Sequence, residues 1–126
     1  MTILETLKKW VNIELGFTNK EIALSNDNYK HIILYYFFGS CDLCAQAMNL
    51  DDNNFKNLYS EIMTYIGISN SEINTVFDMW MLDKFSDNDL LIIQHGARCF
   101  REFENNPDGV GGLRVCFLKF SNYSKK

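Results

Sequence analysis

The chain has 126 residues, 47% of them hydrophobic and 22% charged, with a formal net charge of −4. That length suits one domain with a core needing no staples, and the balance excludes disordered, collagen-like and disulfide-scaffold classes. The excess of acid argues against broad nucleic-acid binding and leaves a basic protein partner open.

In chain order, Thr2 and Glu5 open a helix as a capping box, and Leu4, Leu7, Val11 and Leu15 recur on one face with Trp10 beside them. Gly16 is expected to end it as a left-handed cap. The opening MTILETLKKW reads as an amphipathic helix rather than a secretory leader. Thr18 and Glu21 form a second box before a short turn, and Ser25, Asn26 and Asp27 offer N-caps to the next segment.

That segment, YKHIILYYFFGSCDLCAQAMNL from Tyr29 to Leu50, is the centre of the plan. Its apolar residues fall on every side of a helical wheel, with Ile33, Phe37, Ser40, Cys44 and Met48 on one face and Ile32, Tyr36, Gly39, Leu43 and Ala47 on another. A helix apolar all round is surrounded by other elements. Ile33, Phe37, Leu43 and Cys44 are therefore expected to be buried. Glycine inside a helix usually has a packing reason, so Gly39 should mark a close crossing, with Gly96 and Ala97 as its counterpart. The longest strongly apolar run, Ile32 to Cys41, is ten residues, where a membrane span needs about twenty. The expectation is a cytoplasmic chain without a membrane span, its four cysteines kept as thiols.

Asp51 or Asp52 caps the next helix, whose apolar face is Phe55, Leu58, Tyr59, Ile62, Met63 and Ile66, and Gly67 stops it. Ser69 and Glu72 open another helix carrying Ile73, Val76, Phe77 and Trp80. Ser86 with Asp89 opens the one after, which Asn105-Asn106-Pro107 ends. In the tail, LRVCFLKFSNYSKK, Val115 to Leu118 are consecutively apolar and do not alternate as a half-buried strand would. A last helix is favoured. The fold expected is all-α: one domain over residues 1–126, with five or six helices bundled around a central apolar helix at about residues 28–48.

Two constellations bear on function. Cys41 and Cys44 are three apart and His95 and Cys99 four apart, so each pair shares a helical face; packed together, the four would make a Cys₃His zinc site. The weightier reading is that reduced cysteines act as small hydrophobes, so no metal or cofactor is expected. A redox role needs the CxxC pair at a helix N-terminus after a strand, and here it lies about three turns in.

The stretch Ile62 to Trp80, IMTYIGISNSEINTVFDMW, resembles the helix-turn-helix family of DNA-binding motifs. Gly67 would be the turn glycine, Ile73 and Val76 the buried positions of the second helix, and Met63 stands where the family usually has a small residue. The resemblance implies that Asn70, Ser71, Glu72, Asn74, Thr75 and Asp78 would face DNA. None is basic and two are acidic, so phosphate contact would be repulsive.

Charge is also uneven along the chain: net −1 over residues 1–49, −6 over 50–89 and +3 over 90–126. His31 has no partner assignable from sequence, and Asp42 and Gln46, one turn apart, mark a wet edge of the central helix or a hydrogen bond within it. With 14% aromatic residues, an apolar surface patch or dimer face is expected. No catalytic set emerges. The leading reading is a non-enzymatic helical interaction module of the adaptor, regulator or toxin-neutralising kind, meeting a basic protein or a second copy of itself. A helix-turn-helix regulator of nucleic acid comes second, and a zinc- or thiol-dependent protein using Cys41 and Cys44 third.

Overall fold

The computed structural model describes residues 2–120. Its elements are α1 (Ile3–Gly16), α2 (Lys20–Ser25), α3 (Asp27–Ala47), α4 (Asp52–Ile66), α5 (Asn70–Met81), α6 (Asp87–Asn105) and α7 (Gly112–Phe120), and no strand occurs among the described residues. The fold is all-helical, and the tail as far as Phe120 is the helix that its lack of alternation implied, residues 121–126 lying outside the described residues.

Caps set the boundaries. The side chains of Thr2, Asn26, Asp51, Ser69 and Ser86 each accept a backbone N–H from the first turn of the helix they precede. At Ser86 the box is reciprocal, since the Asp89 carboxylate accepts the Ser86 N–H in return. Gly67 closes α4 in the left-handed region at φ 109°, where a Cβ would be strained.

Two local expectations are corrected. Gly16 is not a left-handed cap. Phe17 and Thr18 donate back to the Glu14 and Leu15 carbonyls, so α1 ends in tightened three-residue turns and runs on. The next cap is Asn19 rather than Thr18, because the Thr18 hydroxyl is occupied by the Leu15 carbonyl while the Asn19 side chain accepts from Ile22. The turn closes into α2, which brings the helices among the described residues to seven.

The central helix α3 is buried at every position from Ile32 to Cys41, and helices α1, α2, α4, α5, α6 and α7 all pack against it. Ile33, Phe37 and Cys44 are buried as expected, while Leu43 is only half-buried, at the margin of the core. Trp10 stacks on Tyr36 at 5.4 Å and meets Phe37 and Phe100 edge-on. On the other side Phe38 takes the edges of Phe55, Tyr59, Trp80 and Phe85 at 5.1–5.8 Å. Edge-to-face rings add about 0.5–1.5 kcal/mol each beyond area burial. Most of the aromatic surplus is thus spent inside; among the described residues, only Phe17 and Tyr65 of the large exposed apolar side chains are aromatic.

The longest contact is α3 against α6. Gly39 lies on the backbone of Ile93 and Ala97, Gly96 on the backbone of Tyr36, and His31 reaches Asp89. Residue numbers rise together along this seam, so the two helices run parallel with their N-termini at one end. The acids there, Asp27, Asp87 and Asp89, oppose the summed positive ends of the two dipoles.

A Cβ at either seam glycine would be driven into a carbonyl oxygen, of Ile93 for Gly39 and of Tyr36 for Gly96. Gly39→Ala and Gly96→Ala should each cost at least about 1–3 kcal/mol in urea unfolding. Gly16→Ala has nothing within 4 Å of its Cβ and should be neutral, or stabilising by up to about 1 kcal/mol. Equal effects at Gly16 and Gly39 would contradict the crossing.

Candidate functional site

The structure does not gather Cys41, Cys44, His95 and Cys99: among the described residues no three His, Cys, Asp or Glu side chains are grouped to hold a metal ion. Cys41 and Cys44 are buried on α3, whereas His95 bonds Arg98 and sets its ring against Phe120. Cys99 turns instead to the Tyr36 hydroxyl and to Gly112, whose missing side chain makes room for both. Burial is the main cause that raises all four thiols, pushing Cys44 and Cys116 to about 12. Thiols held protonated are poor nucleophiles.

The helix-turn-helix stretch forms α4, a tight turn at Gly67 and α5, with Ile73 and Val76 buried. The outward positions of α5 are Asn70, Ser71, Asn74, Thr75 and Asp78, all exposed, while Glu72 pairs with Lys30 of α3 at 3.2 Å. The helix pair is present, but its outward face offers no cation to a phosphate.

His31 finds the partner that sequence could not assign. Its Nε2 lies 2.7 Å from the Asp89 carboxylate, beside a cleft lined by Ile32, Ser86, Ile92 and Phe120. Burial pushes the Asp89 carboxyl up, but the hydrogen bonds from His31 and Ser86 outweigh it and hold the group below its ordinary value.

A second feature unread from sequence is the buried Glu14 of α1. Its Oε1 accepts from the Tyr36 hydroxyl at 2.9 Å and the Leu113 N–H at 2.8 Å, and its Oε2 accepts the Gly111 N–H at 2.7 Å. Four apolar neighbours at helical spacing made α1 look like a simple amphipathic helix. Glu14 is the polar residue inside that face, and it carries the start of α7.

A further cleft, of about 290 Å³, opens where α3 ends, α4 begins and α5 ends. Asp42 and Asp52 supply carboxylates, Gln46 and Asn49 amides, Trp80 and Phe55 aromatic surface, and Ala45 and Leu50 apolar lining. The Asp42–Gln46 pair, adjacent on the helix wheel, is a hydrogen bond: Gln46 Nε2 donates to Asp42 Oδ2 at 2.9 Å. Burial raises the Asp42 carboxyl above its ordinary value, with the Gln46 bond opposing. Sequence periodicity gave Trp80 and Phe55 to the core, and indeed Phe55 is buried; Trp80 is half-buried, which leaves indole for the cleft.

No protein-family model, no curated protein and no solved structure matches this chain. The functional reading therefore rests on the geometry alone. Among the described residues, no helix is long and apolar enough to cross a membrane.

The polar contacts lead to two expected outcomes. Glu14→Gln puts a donor among three donors, so it should cost about 1–3 kcal/mol and release hydrogen-exchange protection at Gly111 and Leu113. Unchanged protection would mean that α7 is held by its apolar face alone. For Asp89, the folded-state value lies below the unfolded one, so its stabilisation is present above the unfolded carboxylate range and is lost as pH falls through the folded value. Asp89→Asn should therefore be less stable than the parent at neutral pH, and thermal melts should converge as the pH drops below about 4.

Proposed function

We propose that the chain is a non-enzymatic interaction module that meets a basic protein partner through the acidic face of α4, α5 and the start of α6. The observation that carries this reading is uncompensated charge. Asp51, Asp52, Glu61, Asp78, Asp83 and Asp87 are exposed, and the ion pairs found among the described residues, Lys30–Glu72 and His31–Asp89, engage none of them. Lys56 sits over the Phe77 ring at 5.7 Å. Such a field speeds encounter with a cationic protein and repels nucleic acid.

A second copy of the chain is the alternative partner, favoured by the basic side chains exposed on α6 and α7, namely Arg98, Arg101, Arg114 and Lys119. Light scattering at low and high salt separates a self-associating chain from a monomer.

The test compares a labelled oligolysine peptide with a short duplex DNA at low and high salt. The peptide should be retained and the duplex not. Added salt, or the combined change Glu61→Gln, Asp78→Asn and Asp83→Asn, should weaken retention at least about tenfold. Retention of the duplex with a steep salt dependence, and none of the peptide, would replace this reading with nucleic-acid binding.

A further inference from the structure

We infer that the cleft between the ends of α3 and α5 receives an arginine side chain presented by a partner protein. This rests on the acidic-face reading and adds a defined pocket to it. The start of α4 turns a positive dipole end toward the cleft, and the acids there, Asp51 and Asp52, oppose it; the other walls favour a planar cation. No Lys or Arg lines the cleft. The C-terminal ends of α3 and α5 meet there, each carrying partial negative charge. Asp42 sits in the last turns of α3, half-buried, with Oδ2 held by Gln46, while Oδ1 carries no hydrogen bond among the described residues. Asp52 stands exposed on the facing helix.

Aromatic surface distinguishes this place from the open acidic face. Trp80 packs edge-on to Phe55 at 5.1 Å and to Phe38 at 5.8 Å, so its indole is fixed from behind. A guanidinium can stack on an indole while donating two N–H groups to a carboxylate. Lysine offers a point charge, without the plane that stacks or the fork that pairs. A fully methylated ammonium would leave Asp42 Oδ1 without a donor. A metal ion would find two carboxylates and two amides set among aromatic and aliphatic carbon, and among the described residues no three His, Cys, Asp or Glu side chains are grouped to hold one. The volume of about 290 Å³ admits the head group with its methylene stem, for which Ala45 and Leu50 provide apolar contact.

The chain carries two tryptophans, so the experiment has an internal reference. Trp10 is fully buried away from the cleft, whereas Trp80 lines it. The probe is a blocked tripeptide with arginine between glycines, titrated into the whole protein while both indole N–H signals are followed by NMR. Binding on the order of millimolar is expected for so small a ligand. The Trp80 indole and the Gln46 side-chain amide should shift saturably and Trp10 should stay fixed. The lysine peptide should act more weakly, and the citrulline peptide, of the same shape without charge, not at all. Asp42→Asn should weaken the arginine response about tenfold without lowering the melting temperature.

An equal response to citrulline, an unmoved Trp80, or full binding by Asp42→Asn would overturn the pocket. Oligolysine retention separates the two readings. If it survives while the Trp80 response fails, the acidic face stands and the pocket falls. Loss of oligolysine retention with a saturable, Asp42-dependent Trp80 response removes the broad face and leaves the pocket.

Discussion

The molecule depends on a contact between two backbones. Where α3 crosses α6, Gly39 and Gly96 each occupy a place in which the other helix's carbonyl leaves no room for a methyl group. Glycine inside a helix sacrifices about 1 kcal/mol against alanine. What it gains here is approach: main chain lies on main chain, and the side chains flanking the seam reach past it to both sides. Tyr36 and Phe37 go toward Trp10 and Phe100, while Tyr35 and Phe38 go toward Phe85. A wider separation at the seam would pull both aromatic groups apart at once. The parallel sense of the pair comes from the same register and brings His31 of one helix to Asp89 of the other.

How much of this was legible depended on whether the signal was local. The all-round apolar character of α3, the caps at Thr2, Asp51, Ser69 and Ser86, and the left-handed stop at Gly67 are properties of a few adjacent residues, and each is found. The close crossing could be read from Gly39 because a glycine costs an apolar helix stability unless another backbone needs the space. The failures share a cause. Gly16 carried the same letter as Gly67, yet its conformation is fixed by the residues after it, which make a tightened turn into α2 rather than a reversal. Asn19 took the cap from Thr18 because a neighbouring carbonyl competed for the hydroxyl.

The site was less legible than the fold. Asp42 and Gln46 could be paired from their spacing alone, but Asp52, Phe55 and Trp80 come from other helices, and nothing in their local sequence says that they converge. Exposure was equally hidden: a helical wheel places Trp80 on an apolar face and cannot say that part of its ring reaches a cleft. The exposure of the acids between Asp51 and Asp87 was easier to read, because a charged side chain on the outer side of an amphipathic helix stays in water. Asp51, Asp52, Glu61, Asp78, Asp83 and Asp87 stay at the surface because their helices pack with apolar sides inward, whereas Asp89 is buried against His31 and Glu72 pairs with Lys30.

Glu14 has a further consequence, for the order in which the chain can become native. Its backbone donors at Gly111 and Leu113 lie 97 and 99 residues downstream. On an emerging chain, α1 is made first and its carboxylate has only water and the Tyr36 hydroxyl to turn to until the loop before α7 arrives. Closing so long a loop costs little more than closing one half its length, about 0.6 kcal/mol, so distance is not the obstacle; timing is. Burying α1 before α7 would strand a polar group, so the settling of these two helices belongs to a single event. Such a nonlocal tie raises the contact order of an otherwise local helical fold and slows its completion.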